Sequence, residues 1–372
     1  MSNSIEKRVQ KLLEGTGITV NGSNPWDIQV KNENFYKRVL TEGTLGFGES
    51  YMDGWWDCAA IDALVTRAFE VNLVEKLKSN WKEIGLLLAS SLINRQTGKR
   101  AFKVGEEHYD VGNKLYEVML DKHMVYTCGY WRHAKALEEA QEAKLDLVCK
   151  KIGLKSGDRI LDIGCGWGSF AKFAAEKYGA HVVGVTVSRE QLALAQERCK
   201  GLPVELRYQD YRDVDEKFDH IVSLGMFEHV GYKNYKTYMR VAARCLKDDG
   251  LFLLHTIGSN ASSKNTDPWI EKYIFPNSML PSLAQIASAV ENLFVIEDVH
   301  NFSTDYDKTL MEWFKNFDLH WDELKDGYDD RFYRMWKFYL LCSAGSFRSR
   351  RNQLWQIVLS KNGVKGGHES IR

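Results

Sequence analysis

The stretch Arg159-Ile160-Leu161-Asp162-Ile163-Gly164-Cys165-Gly166-Trp167-Gly168 decides how the rest of this chain is read. Ile160, Leu161 and Ile163 form the short apolar run expected of a strand covered on both faces. Gly164, Gly166 and Gly168 then let the backbone turn sharply and let a ligand approach where a Cβ would collide. The segment Ser169–Tyr178 is expected to be helical, with its first N–H groups facing that ligand.

A G-x-G turn alone is ambiguous, because dinucleotide-binding folds use a similar one. A dinucleotide enzyme would prefer G-x-G-x-x-G, with an acidic residue about 20 residues further on. Here the glycines are spaced G-x-G-x-G, and the second strand ends at Val185-Thr186-Val187-Ser188 without a carboxylate. That spacing matches the first motif of class I methyltransferases, whose ligand is S-adenosylmethionine. The alternative is a turn that only packs a helix onto a sheet. Three closely spaced glycines weaken such a turn unless something compensates for them.

Working outward, strands are expected at His181–Val187, Val204–Gln209, Phe218–Leu224 and Leu251–Ile257. Helical segments such as Arg189–Lys200 and Tyr235–Lys247 alternate with them. The alternation predicts an α/β fold, a parallel sheet with helices on both faces. Phe294–Val299 and Leu354–Ser360 are expected to complete the sheet, one of them antiparallel. Ligands in such sheets lie beyond the carboxyl ends of the strands, which brings loops 164–168, 186–191, 210–212 and 225–229 together.

Residues 1–95 read as a separate, mostly helical region, 96–104 as a linker, and 105–372 as the domain built on the sheet. Val9, Leu12 and Leu13 continue a helical spacing begun at Ile5, stopped by Gly15 and Gly17. Ile18–Val20 and Ile28–Val30 are expected as two short strands, and Leu45–Trp56 as a packed, aromatic loop. Lys76, Lys78, Lys82, Arg95, Lys99, Arg100 and Lys103 flank the apolar run Ile84–Ile93. A basic rim beside an apolar face suits an anionic bilayer surface, and equally a core helix with solvated lysines at its ends.

Lysine plus arginine balance aspartate plus glutamate at 50 each, so no global field attracts nucleic acid. The start lacks the apolar core of a signal peptide, and the run Ile84–Ile93 is too short to span a bilayer. Seven cysteines show no C-x-x-C spacing, and their odd number suits a reducing compartment. A cytoplasmic protein without a metal site is expected.

Nearly the whole chain resembles the cyclopropane-fatty-acyl-phospholipid synthase family, in its bacterial two-domain form. The resemblance is carried by Gly48–Trp56, Glu107–Asn113, Tyr126–Trp131, Leu161–Gly168, Gly184–Thr186, Met226–His229, His255–Gly258, Lys272–Pro276 and Asp305-Tyr306. It implies a class I S-adenosylmethionine-dependent methyltransferase domain behind a smaller N-terminal lipid-binding domain. The implied reaction adds a methylene group from S-adenosylmethionine to the cis double bond of an acyl chain in a membrane phospholipid. An alkene is a poor nucleophile, and its attack leaves a carbocation. The site therefore needs an apolar slot, electron-rich faces and a base.

The family's base is a bound bicarbonate. The resemblance places its anion-holding residues at Cys128, Glu228, His255, the backbone of Ile257, and Tyr306. Cys342 matches a family cysteine proposed as catalytic, although this mechanism gives a thiolate no task. Tyr126, Thr127, Gly164, Cys165, Gly166 and Gly168 are implied to line the methionine and adenosine path. Thr186 and Gln191 are implied at the ribose, and Asp210, Tyr211 and Arg212 at the adenine edge. Peripheral membrane contact and a homodimer are expected as well. Read without the family, Glu228 could cap a helix, His255 could be a core histidine, and Cys128 a small hydrophobe. The competing functions are a lipid methyltransferase giving a branched product, an amine methyltransferase, and a non-catalytic lipid-binding protein.

Overall fold

The computed structural model describes residues 9–11, 13–73 and 112–372. The expected linker 96–104 and the basic-apolar stretch 76–103 lie outside the described residues. The chain forms two compact units that interleave in sequence. One is Met1–Ile93, Asn265–Pro276 and Tyr306–Asn352; the other is Asn94–Lys264, Asn277–Asp305 and Gln353–Arg372. The sequence pattern predicts a single division along the chain.

The first unit is held by aromatic packing. Trp56 is completely buried, stacks on Phe47 at 4.4 Å between ring centroids, and donates its indole N–H to the Phe47 carbonyl at 3.1 Å. Phe338 stacks on Tyr51 at 5.3 Å from the long helix Asp330–Arg348. The expected loop over Leu45–Trp56 is instead a helix, Thr44–Met52, followed by a short strand β2 at Trp56–Asp57. Glycine weakens an isolated helix, but here packing wins. A Cβ on Gly46 would sit 2.6 Å from the Arg38 carbonyl, and one on Gly48 would sit 2.4 Å from the Trp269 ring. Glycine is what lets the helix approach its neighbours that closely.

The two strands expected at 18–30 also differ. Val20 only bridges Ile28, whereas β1 (Gln29–Val30) pairs antiparallel with β2. Asp27 organises the intervening turn by accepting from the Thr19 and Asn24 N–H groups, each at 2.8 Å. Its carboxylate thereby rewards a turn over a regular hairpin ladder.

The second unit carries a seven-stranded sheet, in the order β5-β4-β3-β6-β7-β9-β8. Its strands are β3 (Arg159–Ile163), β4 (His181–Thr186), β5 (Val204–Tyr208), β6 (Phe218–Leu224), β7 (Leu246–Ser259), β8 (Val295–Asn301) and β9 (Asn352–Ser360). β3 to β7 pair parallel, and β8 pairs antiparallel with β9. Leu161 and Ile163 pack into one hydrophobic cluster and Ile160 into another. Residue alternation along a strand sends them to opposite faces, as a doubly covered sheet requires. The chain reverses direction across the sheet at β3, between β4 and β6. At such a switch point the loops at the carboxyl ends splay and leave a crevice.

Candidate active site

The crevice is a cavity within the second unit. Gly164, Cys165 and Gly166 form one wall, following β3. Gly164 has φ +81°, a left-handed conformation, and a Cβ there would meet the Met226 side chain at 2.6 Å. Gly168 is displaced from the cavity lining; with φ +74° it starts the helix Ser169–Tyr178. Replacing Gly164 by alanine is expected to weaken cofactor affinity about tenfold, since the left-handed backbone alone costs about 1–2 kcal/mol with a Cβ. Calorimetric titration of the variant checks this.

After β4, Thr186 and Gln191 line the second wall. The Ser188 hydroxyl accepts from the Gln191 N–H at 3.3 Å and caps the helix Arg189–Arg198. Beyond β5, Asp210, Tyr211 and Arg212 close the third side. Arg212 grips Asp210 through two side-chain bonds, both 2.8 Å. This planar pairing holds the loop shape. Burial pushes the Tyr211 hydroxyl up to about 12, so it remains a donor at neutral pH.

Tyr126 and Thr127 complete the lining from the segment before the sheet. Tyr126 sets its ring edge-on to Tyr116 at 5.1 Å. Two residues not singled out from sequence also line this cavity, Asp162 and Lys144. Asp162 is buried inside β3, its Oδ2 has no hydrogen-bond partner among the described residues, and burial pushes its carboxyl up to about 7. An acid inside an apolar strand was the available signal. Lys144 had a signal too: it shares a helical face with Leu137, Ala140, Gln141 and Val148, all buried on the helix Leu137–Lys151.

Beside the cavity, Glu228 and His255 meet through Ile257. Ile257 donates its N–H to Glu228 Oε1 at 2.7 Å, so this N–H, expected to hold an anion, is engaged by the carboxylate. His255 stands two residues earlier on β7 and accepts at its carbonyl from the Gly225 N–H at 2.9 Å. That bond draws the turn carrying Glu228 onto the strand. Burial pushes Glu228 up to about 7 against the lowering effect of the Ile257 N–H, and its Oε2 has no hydrogen-bond partner among the described residues.

His255 is 1 % exposed, and burial holds its imidazole well below the ordinary value, helped by the charges of Lys144 and Lys151. It is neutral at physiological pH. The Gln356 amide lies against Nδ1 at 3.4 Å. Nε2 has no partner among the described residues. Glu228 Oε2 and His255 Nε2 are thus two buried polar atoms left without partners among the described residues.

Cys128 is completely buried and directs its thiol to the Gly129 carbonyl at 3.0 Å. The other two expected catalytic residues belong to the first unit. Tyr306 lies on the helix Thr304–Leu319 and stacks on Phe347 at 4.5 Å. Cys342 lies on the helix Asp330–Arg348, and burial holds it as a thiol, well above its ordinary pKa.

Residues 96–357 match the sequence model of the mycolic acid cyclopropane synthetase family. The chain is 54% identical over 357 residues to the cyclopropane-fatty-acyl-phospholipid synthase of Escherichia coli K12, covering 96% of this chain and 93% of that one. It is 37% identical over 275 residues to a probable fatty acid methyltransferase of Pseudomonas putida, covering 70% of each. A mycolic acid cyclopropane synthase solved with SAH and CTAB superposes with a TM-score of 0.66 at 31% identity, covering 70% of this chain and 98% of that one. The sheet, its crevice and these likenesses agree: the fold is that of a class I S-adenosylmethionine-dependent methyltransferase, and the chain belongs to the mycolic acid cyclopropane synthetase family.

Proposed function

We propose that this protein adds a methylene group from S-adenosylmethionine to the cis double bond of unsaturated acyl chains in membrane phospholipids, closing a cyclopropane ring. The observation that carries this reading is the pair of spare groups, Glu228 Oε2 and His255 Nε2, at one strand end beside the cavity. The 54% identity to a synthase of that name supports the substrate class.

The cavity fits S-adenosylmethionine on two counts. The buried, unpartnered Asp162 Oδ2 suits the ammonium of an amino acid. A Cβ on Gly166 would meet nothing within 4 Å, so this part of the backbone faces open space. Tyr126, Thr127, Gly164, Cys165 and Gly166 would hold the methionine part, Thr186 and Gln191 the ribose, and Asp210, Tyr211 and Arg212 the adenine. When bound, the group supplies an electrophilic methyl on sulfur.

The spare groups fit bicarbonate. Hydrogencarbonate both accepts and donates hydrogen bonds, so it would partner His255 Nε2 in either tautomer and donate to Glu228 Oε2. His255 would orient the anion, Cys128 and Ile257 would add backbone N–H groups once Ile257 releases Glu228, the bicarbonate would take up the ring-closing proton, and Glu228 would accept the proton that the bicarbonate gives up. Tyr306 remains a further proposed contact. Cys342, a thiol, has no part in this chemistry. We extend the reading to peripheral contact with the inner membrane face through the stretch 76–103, and to a homodimer, since two such surfaces bind a bilayer more tightly than one. Among the described residues no helix is long and apolar enough to cross a membrane.

The likeness to a fatty acid methyltransferase favours a second reading, a methyl-branched product. Phospholipid vesicles and a donor carrying a fully deuterated methyl separate the two. Ring closure leaves two deuterons on a ring carbon, whereas a retained methyl keeps all three. Titrating bicarbonate into enzyme stripped of it is expected to restore turnover by about 10²-fold or more, within the range for general base catalysis. Turnover indifferent to bicarbonate would remove the anion from the mechanism.

A further inference from the structure

Lys144 is a charged side chain with no access to water, 0 % exposed, on the helix Leu137–Lys151. Its Nζ donates to Thr127 Oγ1 at 2.9 Å. One turn earlier on the same helix face, the Gln141 amide donates to the Thr127 carbonyl at 2.7 Å. A single helix thus grips both the backbone and the hydroxyl of one cavity residue. Burying an ammonium costs several kcal/mol before its partners offset it, far more than is needed to anchor one loop. A neutral residue would anchor it at lower cost.

Thr127 Oγ1 accepts the lysine proton, so the hydroxyl's own proton must be donated elsewhere. Lys144, Asp162 and Thr127 all line the cavity. We infer that Lys144 is a positioning residue for the methyl donor: it turns the Thr127 O–H into the cavity as a charge-backed donor to the carboxylate of the donor's amino-acid end. Asp162 supplies the opposite charge for the ammonium of that same end. The lysine therefore makes the cavity selective for a zwitterionic amino acid attached to a nucleoside, rather than for the nucleoside alone.

The charges around Lys144 agree with this assignment. Burial pushes its ammonium down to about 8, while Asp121, Cys128 and Asp162 hold it up. Asp121 is already occupied, accepting from the His123 and Val125 N–H groups at 2.9 Å each. Asp162 keeps an unpartnered oxygen among the described residues. Among the described residues the lysine charge is thus not consumed by a dedicated ion pair, and it acts on what enters the cavity.

The inference rests on the proposed use of S-adenosylmethionine, and two probes separate the failure of each. S-adenosylhomocysteine carries the amino-acid end, whereas 5′-methylthioadenosine carries the same nucleoside without it. Both are titrated calorimetrically into the full chain, wild type against Lys144→Gln and Lys144→Met. Each variant is expected to bind S-adenosylhomocysteine about tenfold or more weakly, the scale of one charge-assisted hydrogen bond. Binding of 5′-methylthioadenosine should change less than about twofold.

Thr127→Val, which keeps the lysine and the volume, is expected to show the same selective loss. Combining it with Lys144→Gln should add nothing, because the two act as one unit. Equal weakening of both probes would make Lys144 a structural anchor and overturn the inference, as would unchanged affinity for S-adenosylhomocysteine. If neither probe binds the wild-type chain, the functional reading itself has failed.

Discussion

Replacing Glu228 by glutamine is expected to lower turnover by about 10²–10⁴-fold, the usual worth of a general acid–base group. The substitution is nearly isosteric. The amide oxygen still accepts the Ile257 N–H that Glu228 Oε1 accepts at 2.7 Å, so the strand end keeps its shape. What is lost is the ability of Oε2 to take a proton. Affinity for S-adenosylhomocysteine should stay within about twofold, because Glu228 does not line the cavity that follows β3.

The pH dependence carries a sign that separates this role from a packing one. Burial raises Glu228 to about 7, so below that pH the side chain already holds a proton and cannot accept another. At constant bicarbonate, turnover should rise as pH increases through about 7, and Glu228→Gln should lack this limb. Stability moves the other way. Between the ordinary value of 4.5 and about 7, the folded chain binds the proton more tightly than the unfolded chain, so ionising Glu228 costs stability as pH rises through that window. At pH 8 the glutamine variant should melt at a higher temperature than wild type, and at pH 4 the two should coincide. A variant that loses both activity and stability at pH 8 would mark Glu228 as structural.

Replacing Gly258 by valine is expected to cost about 3 kcal/mol of stability, the upper part of the range for overpacking a core. Gly258 lies near the end of β7, beneath the Trp355 indole of β9, and even a Cβ would come within 1.8 Å of a ring carbon. The indole is 3 % exposed within the larger hydrophobic cluster and has little room to yield. The strand must shift instead, taking with it Ile257 and its bond to Glu228. Chemical denaturation should show the lost stability, and turnover should fall in the fraction that remains folded. Gly327→Ala is the comparison, since its Cβ would lie 3.7 Å from the Leu324 carbonyl in ordinary contact. A valine variant as stable as this alanine variant would show that the indole swings away.

Much of the sheet is legible as residue pattern. The runs at His181, Val204 and Phe218 become β4, β5 and β6 within a residue or two of the expected ends. Strands buried on both faces need continuous apolar residues, and these are local. The helix Thr44–Met52 reads as a loop for the opposite reason. Its glycines look unfavourable locally, and only Arg38 and Trp269, brought against them by the fold, make small residues the right ones. Lys144 carries only a weak local signal, its place on the buried helical face, because a lysine in an amphipathic helix normally faces water. Nothing within the helix says that Thr127 covers it.

The amino-acid order alone thus determined the strand–turn–helix at residues 159–178, the parallel sheet, and the resemblance on which the family expectation stood. Each depends on short-range pattern, repeated apolar runs and glycine at turns, which sequence displays directly. Tertiary structure alone decided that the Ile257 N–H is engaged by Glu228, which atoms of Glu228, His255 and Asp162 are left without partners, and that Lys144 backs the Thr127 hydroxyl. It also decided that the compact units interleave along the chain. Burial and hydrogen-bond partnership are properties of groups distant in sequence, and they set the proton affinities and spare valences on which chemistry depends.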